Sequence, residues 1–121
     1  MDRKRNDMML RTKRFALAVI RLYASLPKSM IAQILGNQVL RSGTSVGAHY
    51  REACRAKSNA DFISKIEGGL QELDETDYWL ELLRDAGVAP ADRIEPLAVE
   101  SNELIAIFVS IARSVKFSAR A

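Results

Sequence analysis

The chain has 121 residues, 27% of them charged and 48% apolar, with a net charge of +3 and one cysteine, Cys54. That length supports one domain with a real core, and a lone cysteine excludes an internal disulfide and gives no sign of an oxidising compartment. No apolar run approaches the roughly 18 residues of a membrane span, and the basic first 14 residues lead into an amphipathic stretch without a small-residue cleavage site, so no signal peptide is expected and the cytoplasm is the default.

Three prolines and six glycines are too few for a turn-rich β protein, β-branched alternation is absent, and apolar residues recur at steps of three and four, so the chain reads as all-α. A basic N-terminal extension over about residues 1–8 precedes a first helix predicted from about Met9 to Leu26. Its stripe is Phe15, Val19, Leu22 and Leu26, flanked by Ala16, Ile20 and Tyr23, and Pro27 ends it. A second helix is predicted from about Lys28 to Ala56. Its middle, with Gln38, Arg41, Ser42, Gly43, Thr44, Ser45 and Gly47, has the propensity of a loop. It still reads as helix, because Ile31, Leu35, Gln38, Ser42, Ser45, His49 and Glu52 fall on one face and small residues there permit close approach of another helix.

Ser58 with Asp61 three residues on forms a variant capping box for a third helix. Phe62, Ile66, Leu70, Leu73, Leu80 and Leu83 mark its buried face, and Gly87 is placed to close it in the left-handed conformation. The fourth helix carries the most regular pattern, Ile94, Leu97, Ser101, Leu104, Phe108, Ile111 and Val115, the seam of a bundle. Pro90 suits its first turn. Pro96 does not suit an interior position, so either the first turn is irregular or the regular helix begins nearer Pro96. Short connections make successive helices antiparallel, which predicts an up-down-up-down four-helix bundle.

Charge is divided unevenly. Residues 1–59 hold 12 Lys and Arg against three acids, a balance of +9, whereas residues 60–121 stand at −6. One reading is that a basic half packs beside an acidic half and most charges are solvated. The other is that the N-terminal run Arg3, Lys4, Arg5, Arg11, Lys13, Arg14 and then Arg21 is a surface for the phosphates of RNA or DNA. Arg51, Arg55 and Lys57, at the end of the second helix, form the only other basic cluster.

The inventory for catalysis is thin. His49 is the only histidine, no Glu-x-x-His pair of a di-iron bundle is present, and no phosphate-binding or nucleophile motif occurs, so no metal, cofactor or catalytic residue is expected. His49 and Glu52, one turn apart, have the spacing of a proton shuttle, against the ordinary outcome of an imidazole hydrogen-bonded to a neighbouring helix. Arg41, Ser45, His49, Glu52, Glu72 and Glu75 are polar where bundle core is expected, and their pairing would fix helix register. If Arg41 lies against Glu72 or Glu75 in a poorly solvated site, reversing it to Glu costs on the order of 3 to 5 kcal/mol. Tyr78 and Trp79 read as core, as subunit interface or as a platform for stacking bases.

The run from Gln38 through Arg41, Ser42, Ser45, Val46, His49 and Glu52 to Ala53, followed by Asp61-Phe62 and by Leu70 to Leu80 with Glu72, Glu75, Thr76, Tyr78 and Trp79, resembles the bacterial four-helix-bundle family of 23S rRNA intervening-sequence proteins. The resemblance spans nearly the whole chain. It departs at His49, where the family pattern has Asn, and at Ala53, where it often has Gly. What the resemblance implies is a ring-like homo-oligomer, commonly a pentamer. Through the related accessory variability determinant of diversity-generating retroelements, it also implies an association with RNA and a reverse transcriptase. The leading expectation is therefore a non-enzymatic, nucleic-acid-binding accessory scaffold, followed by a protein–protein interaction module without nucleic-acid binding.

Overall fold

In the computed structural model, which describes residues 3–120 and the side chains of residues 3–118, four helices follow one another. They are α1 (Arg3–Ser25), α2 (Met30–Cys54), α3 (Asn59–Asp85) and α4 (Ala91–Arg120). α1 begins at Arg3, so most of the predicted basic extension is its first turns; Met1 and Asp2 lie outside the described residues. Thr12, Phe15, Val19 and Leu22 are its buried stripe. The Thr12 hydroxyl is satisfied inside the helix by donating to the carbonyl of Met8 at 2.9 Å. The helix stops at Ser25, before Pro27, and Ser29 caps α2 by accepting from the amide of Ala32 at 3.1 Å.

The polar middle of α2 is helical, as expected. Ser42, Thr44 and Ser45 donate back to the carbonyls of Gln38, Leu40 and Arg41 at 3.0, 2.7 and 2.7 Å, so their hydroxyls do not compete with the helix from outside it. The buried face differs from the predicted one. It is Ala32, Gly36, Val39, Gly43, Val46, Gly47, Tyr50 and Ala53, with Ser42 shared between the two stripes. Ile31 and Glu52 are exposed, and Leu35, Gln38, Ser45 and His49 lie at the margin. The reason is that α1 takes the face with the smallest side chains. A Cβ at Gly43 would stand 2.8 Å from a Val19 methyl carbon, one at Gly36 2.9 Å from a Leu26 methyl, and one at Gly47 3.1 Å from the Thr12 hydroxyl.

Ser58 caps α3 as predicted, accepting from the amide of Asp61 at 3.1 Å. Ile66, Leu73, Leu80 and Leu83 are buried, and Phe62 and Leu70 pack partly buried at the core edge. At the other end Gly87 has φ 69°, and the amides of Gly87 and Val88 bond to the carbonyls of Arg84 and Leu83 at 3.0 and 2.9 Å, a Schellman closure. In α4, Ile94, Leu97, Ser101, Leu104 and Phe108 are buried and Ile111 is partly buried against the core. The helix runs through Pro96 from Ala91, so it does not wait for Pro96 to begin, and the amides of Arg93 and Ile94 both bond to the Pro90 carbonyl, at 3.0 and 3.3 Å, in its first turn. Pro96 has no amide hydrogen for the carbonyl of Asp92, and both residues are exposed, where water can serve that carbonyl.

α1 packs on α2, α2 on α3 and α3 on α4, with the α1–α4 contact the sparsest. The core is continuous through all four helices, from Phe15 and Val19 through Val39, Val46 and Leu73 to Leu104 and Phe108.

Candidate functional site

Helix α1 presents two different kinds of basic residue. Arg3, Lys4, Arg5, Lys13, Arg14 and Arg21 are exposed. Of these, Arg3, Arg5, Lys13, Arg14 and Arg21 have no partner among the described residues. Arg11 is different. Its Nε and a terminal nitrogen donate to the two carboxylate oxygens of Glu100 at 2.8 and 2.7 Å, a bidentate fork that ties α1 to α4, with Glu103 3.5 Å away. The Glu100 hydrogen bond pushes the Arg11 guanidinium above its already high ordinary value, against some desolvation. Six of the seven predicted basic residues are thus exposed along α1, and the seventh, Arg11, joins two helices.

The predicted polar core divides in a similar way. Arg41 is next to both expected partners, 3.9 Å from Glu72 and 3.6 Å from Glu75, but its side chain is 58% exposed while that of Glu72 is 13% exposed. The pair thus sits at the rim of the α2–α3 seam, because Arg41 leaves the helix on its outer side and only its head reaches back. Ser45 bonds to its own helix, donating to the Arg41 carbonyl at 2.7 Å. Fully buried between α2 and α3 is a contact that the expected set did not include: Thr76 donates to the Ser42 hydroxyl at 2.7 Å and also lies 2.8 Å from the Glu72 carbonyl. This contact ties a seam position of α2 directly to one of α3. Its sequence signal was a hydroxyl at a seam position on each helix, flanked by Val39 and Val46 on one and by Leu73 and Leu80 on the other.

His49 makes no hydrogen bond to a neighbouring helix through Nδ1, which is buried and unpartnered. Instead the imidazole lies over the backbone of α3, where a Cβ on Gly68 would come within 2.9 Å of it. The Glu52 carboxylate stands 3.8 Å from His49 and 3.9 Å from Lys65, outside hydrogen-bond reach of either. His49 and Lys65, with Ser64, Glu67 and Gln71, border an open depression of about 670 Å³. The shuttle geometry is thus loose, and the histidine acts first as a flat plug between two helices. Tyr78 is exposed and Trp79 is partly buried against the core, their rings 5.3 Å apart and tilted. Among the described residues no group of three or more His, Cys, Asp and Glu gathers to hold a metal, and no helix is long and apolar enough to cross a membrane.

Four long helices around one core, held by glycine contacts, one buried hydroxyl pair and rim ion pairs, define a small all-α bundle protein. This chain belongs to the 23S rRNA-intervening sequence protein family, whose profile matches residues 4–110. It is also similar to a solved structure from Bacteroides thetaiotaomicron, a protein of unknown function from the S23 ribosomal protein family. The identity is 37%, the match covers 91% of this chain and 98% of that one, and the TM-score is 0.84. No curated protein matches the chain.

Proposed function

We propose that this protein is a non-catalytic, self-associating bundle whose α1 surface binds the phosphate backbone of RNA. The observation that carries this reading is the distribution of unpaired cations. Arg3, Arg5, Lys13, Arg14 and Arg21 stand exposed on one helix without a carboxylate partner among the described residues, while on α3 and α4 Lys65, Arg84 and Lys116 are opposed by acids and, among the described residues, Arg93 and Arg113 alone are not. A helix that gathers positive charge without neutralising it attracts a polyanion and steers its approach.

An up-down-up-down order is supported by contacts that descend one helix as they ascend the next. Gly36, Gly43 and Gly47 of α2 meet Leu26, Val19 and Thr12 of α1, and Ser42 and Glu52 of α2 meet Thr76 and Lys65 of α3. Self-association, in a ring that family resemblance makes a pentamer, draws support from Ile31, Ile34 and Tyr78, large apolar side chains left 61%, 56% and 53% exposed. Light scattering coupled to size exclusion tests the assembly, which a monodisperse 13.5 kDa species at tens of micromolar would rule out. For RNA, fluorescence anisotropy across a salt series should give an affinity that falls linearly on logarithmic axes with little preference for base sequence. Absence of binding at low salt ends this reading. The protein-binding module then takes its place, favoured by Leu10, Leu17 and Ile20, which are exposed on the same helix as the cations.

A further inference from the structure

Two basic clusters that are about fifty residues apart in the sequence meet at one end of the bundle. Arg5, in the first turns of α1, and Arg51 and Arg55, at the end of α2, line a cleft of about 350 Å³ whose other walls are Met9 and Cys54. All three arginines are exposed, and none has a partner among the described residues. Glu52, the acid nearest Arg51 and Arg55 in the sequence, is directed to His49 and Lys65. Three guanidiniums around one space repel one another, and an anion between them relieves that repulsion. The planar fork of each matches two oxygens of a phosphate. The last carbonyls of α2 add a partial negative charge of about one half, which three full positive charges outweigh.

The floor of the cleft has a different character. Met9 and Cys54 are partly buried and packed against the core, so they form a fixed apolar surface beside the charges. A cleft at the small end of ligand sites, with a cationic rim and an apolar floor, suits a group that is anionic at one end and flat and apolar at the other. A nucleotide with its base unstacked has that form. A duplex keeps its bases inside and would offer this cleft only a phosphate.

We propose that this cleft seats one nucleotide unit of a single-stranded nucleic acid, with the phosphate held by Arg5, Arg51 and Arg55 and the base or ribose resting on Met9 and Cys54. The inference rests on the reading of the protein as an RNA binder and fixes where the strand is gripped. The cations further along α1 then carry the neighbouring phosphates.

Cys54 serves as the reporter, because a nucleotide in the cleft covers its thiol. The experiment uses the full chain and an octamer of uridine RNA, follows binding by anisotropy, and measures the rate of Cys54 alkylation by N-ethylmaleimide with and without saturating RNA. Expected are a slowing of at least tenfold with the octamer and little slowing with an RNA duplex. The double variant Arg51→Gln with Arg55→Gln should keep the thermal midpoint, lose the protection, and lower the salt slope by about 1.4, or roughly 0.7 per lost contact on a single strand. Should that variant fail to fold, Arg5→Gln alone is expected to lower the slope by about 0.7, and an unchanged slope overturns the proposal. If the octamer binds while Cys54 reacts at its free rate, the strand lies elsewhere and this site is wrong, although the RNA reading stands. If the octamer does not bind at low salt, both fall together.

Discussion

The α1–α2 pair and the α3–α4 pair are packed by opposite means. α1 and α2 approach through atoms that are missing: Gly36, Gly43 and Gly47 leave space that Leu26, Val19 and Thr12 occupy. α3 and α4 are held by large side chains, Ile66, Leu73, Leu80, Leu104 and Phe108, all fully buried. The first pair should therefore be intolerant of added atoms and the second of removed ones. The one glycine that belongs to both descriptions is Gly69 of α3, where a Cβ would stand 2.6 Å from the Phe108 ring.

The largest expected effect is at Phe108, which touches Tyr50 of α2 with ring centroids 5.9 Å apart. Phe108→Ala should cost about 3 to 5 kcal/mol by chemical denaturation. A loss under about 1 kcal/mol would show that the ring is not the keystone of the second pair. Gly43→Ala tests the first pair. Its gain in helix propensity, about 1 kcal/mol, opposes the strain against Val19, and overpacking costs about 1 to 3 kcal/mol, so the net change should be destabilising. Combining it with Val19→Ala should recover part of that strain. Strict additivity of the two substitutions would contradict the packing described.

Smaller effects separate rim from core. Arg41→Glu was expected from the sequence to cost on the order of 3 to 5 kcal/mol. Because the Arg41 side chain is 58% exposed, solvent screening reduces the expected loss to about 0.5 to 1 kcal/mol at low salt, and less at high salt. Thermal melts at two ionic strengths distinguish these magnitudes. At Asp77, burial, with Glu81 and Asp74 adding to it, holds the carboxyl above its ordinary value. The folded state thus binds that proton more tightly than the unfolded one. The resulting stabilisation is full below the unfolded pKa and is lost as pH rises through the folded pKa. Asp77→Asn should accordingly melt slightly higher than the parent at neutral pH, with the two converging below the carboxylate range. A constant offset at all pH values would assign the effect to packing.

The four helices, the Ser58 cap and the α4 seam were legible in the sequence, because each rests on local spacing of a few residues; the Ser29 cap was not read from it. The buried face of α2 was not, because periodicity gives weight to large residues and the tightest contact here is made by glycine and alanine. Arg41 was paired correctly and placed too deep: spacing identifies the face of a helix but not how far a long flexible side chain reaches around it. Arg11 and Glu100, 89 residues apart, carry no local signal, and the same holds for the meeting of Arg5 with Arg51 and Arg55.

If the exposed cations of α1 serve a polyanion while Arg11 serves the fold, one paired measurement separates the two roles. RNA affinity across a salt series and the thermal midpoint are recorded for two variants. One carries Gln at Arg3, Arg5, Lys13 and Arg14, and the other carries only Arg11→Gln. The first should flatten the salt slope by up to about 2.8, at roughly 0.7 per contact on a single strand, with its midpoint unchanged. The second should keep most of the slope and lose about 1 kcal/mol of stability, the upper range for an exposed ion pair. A slope that survives the fourfold substitution intact would contradict the account.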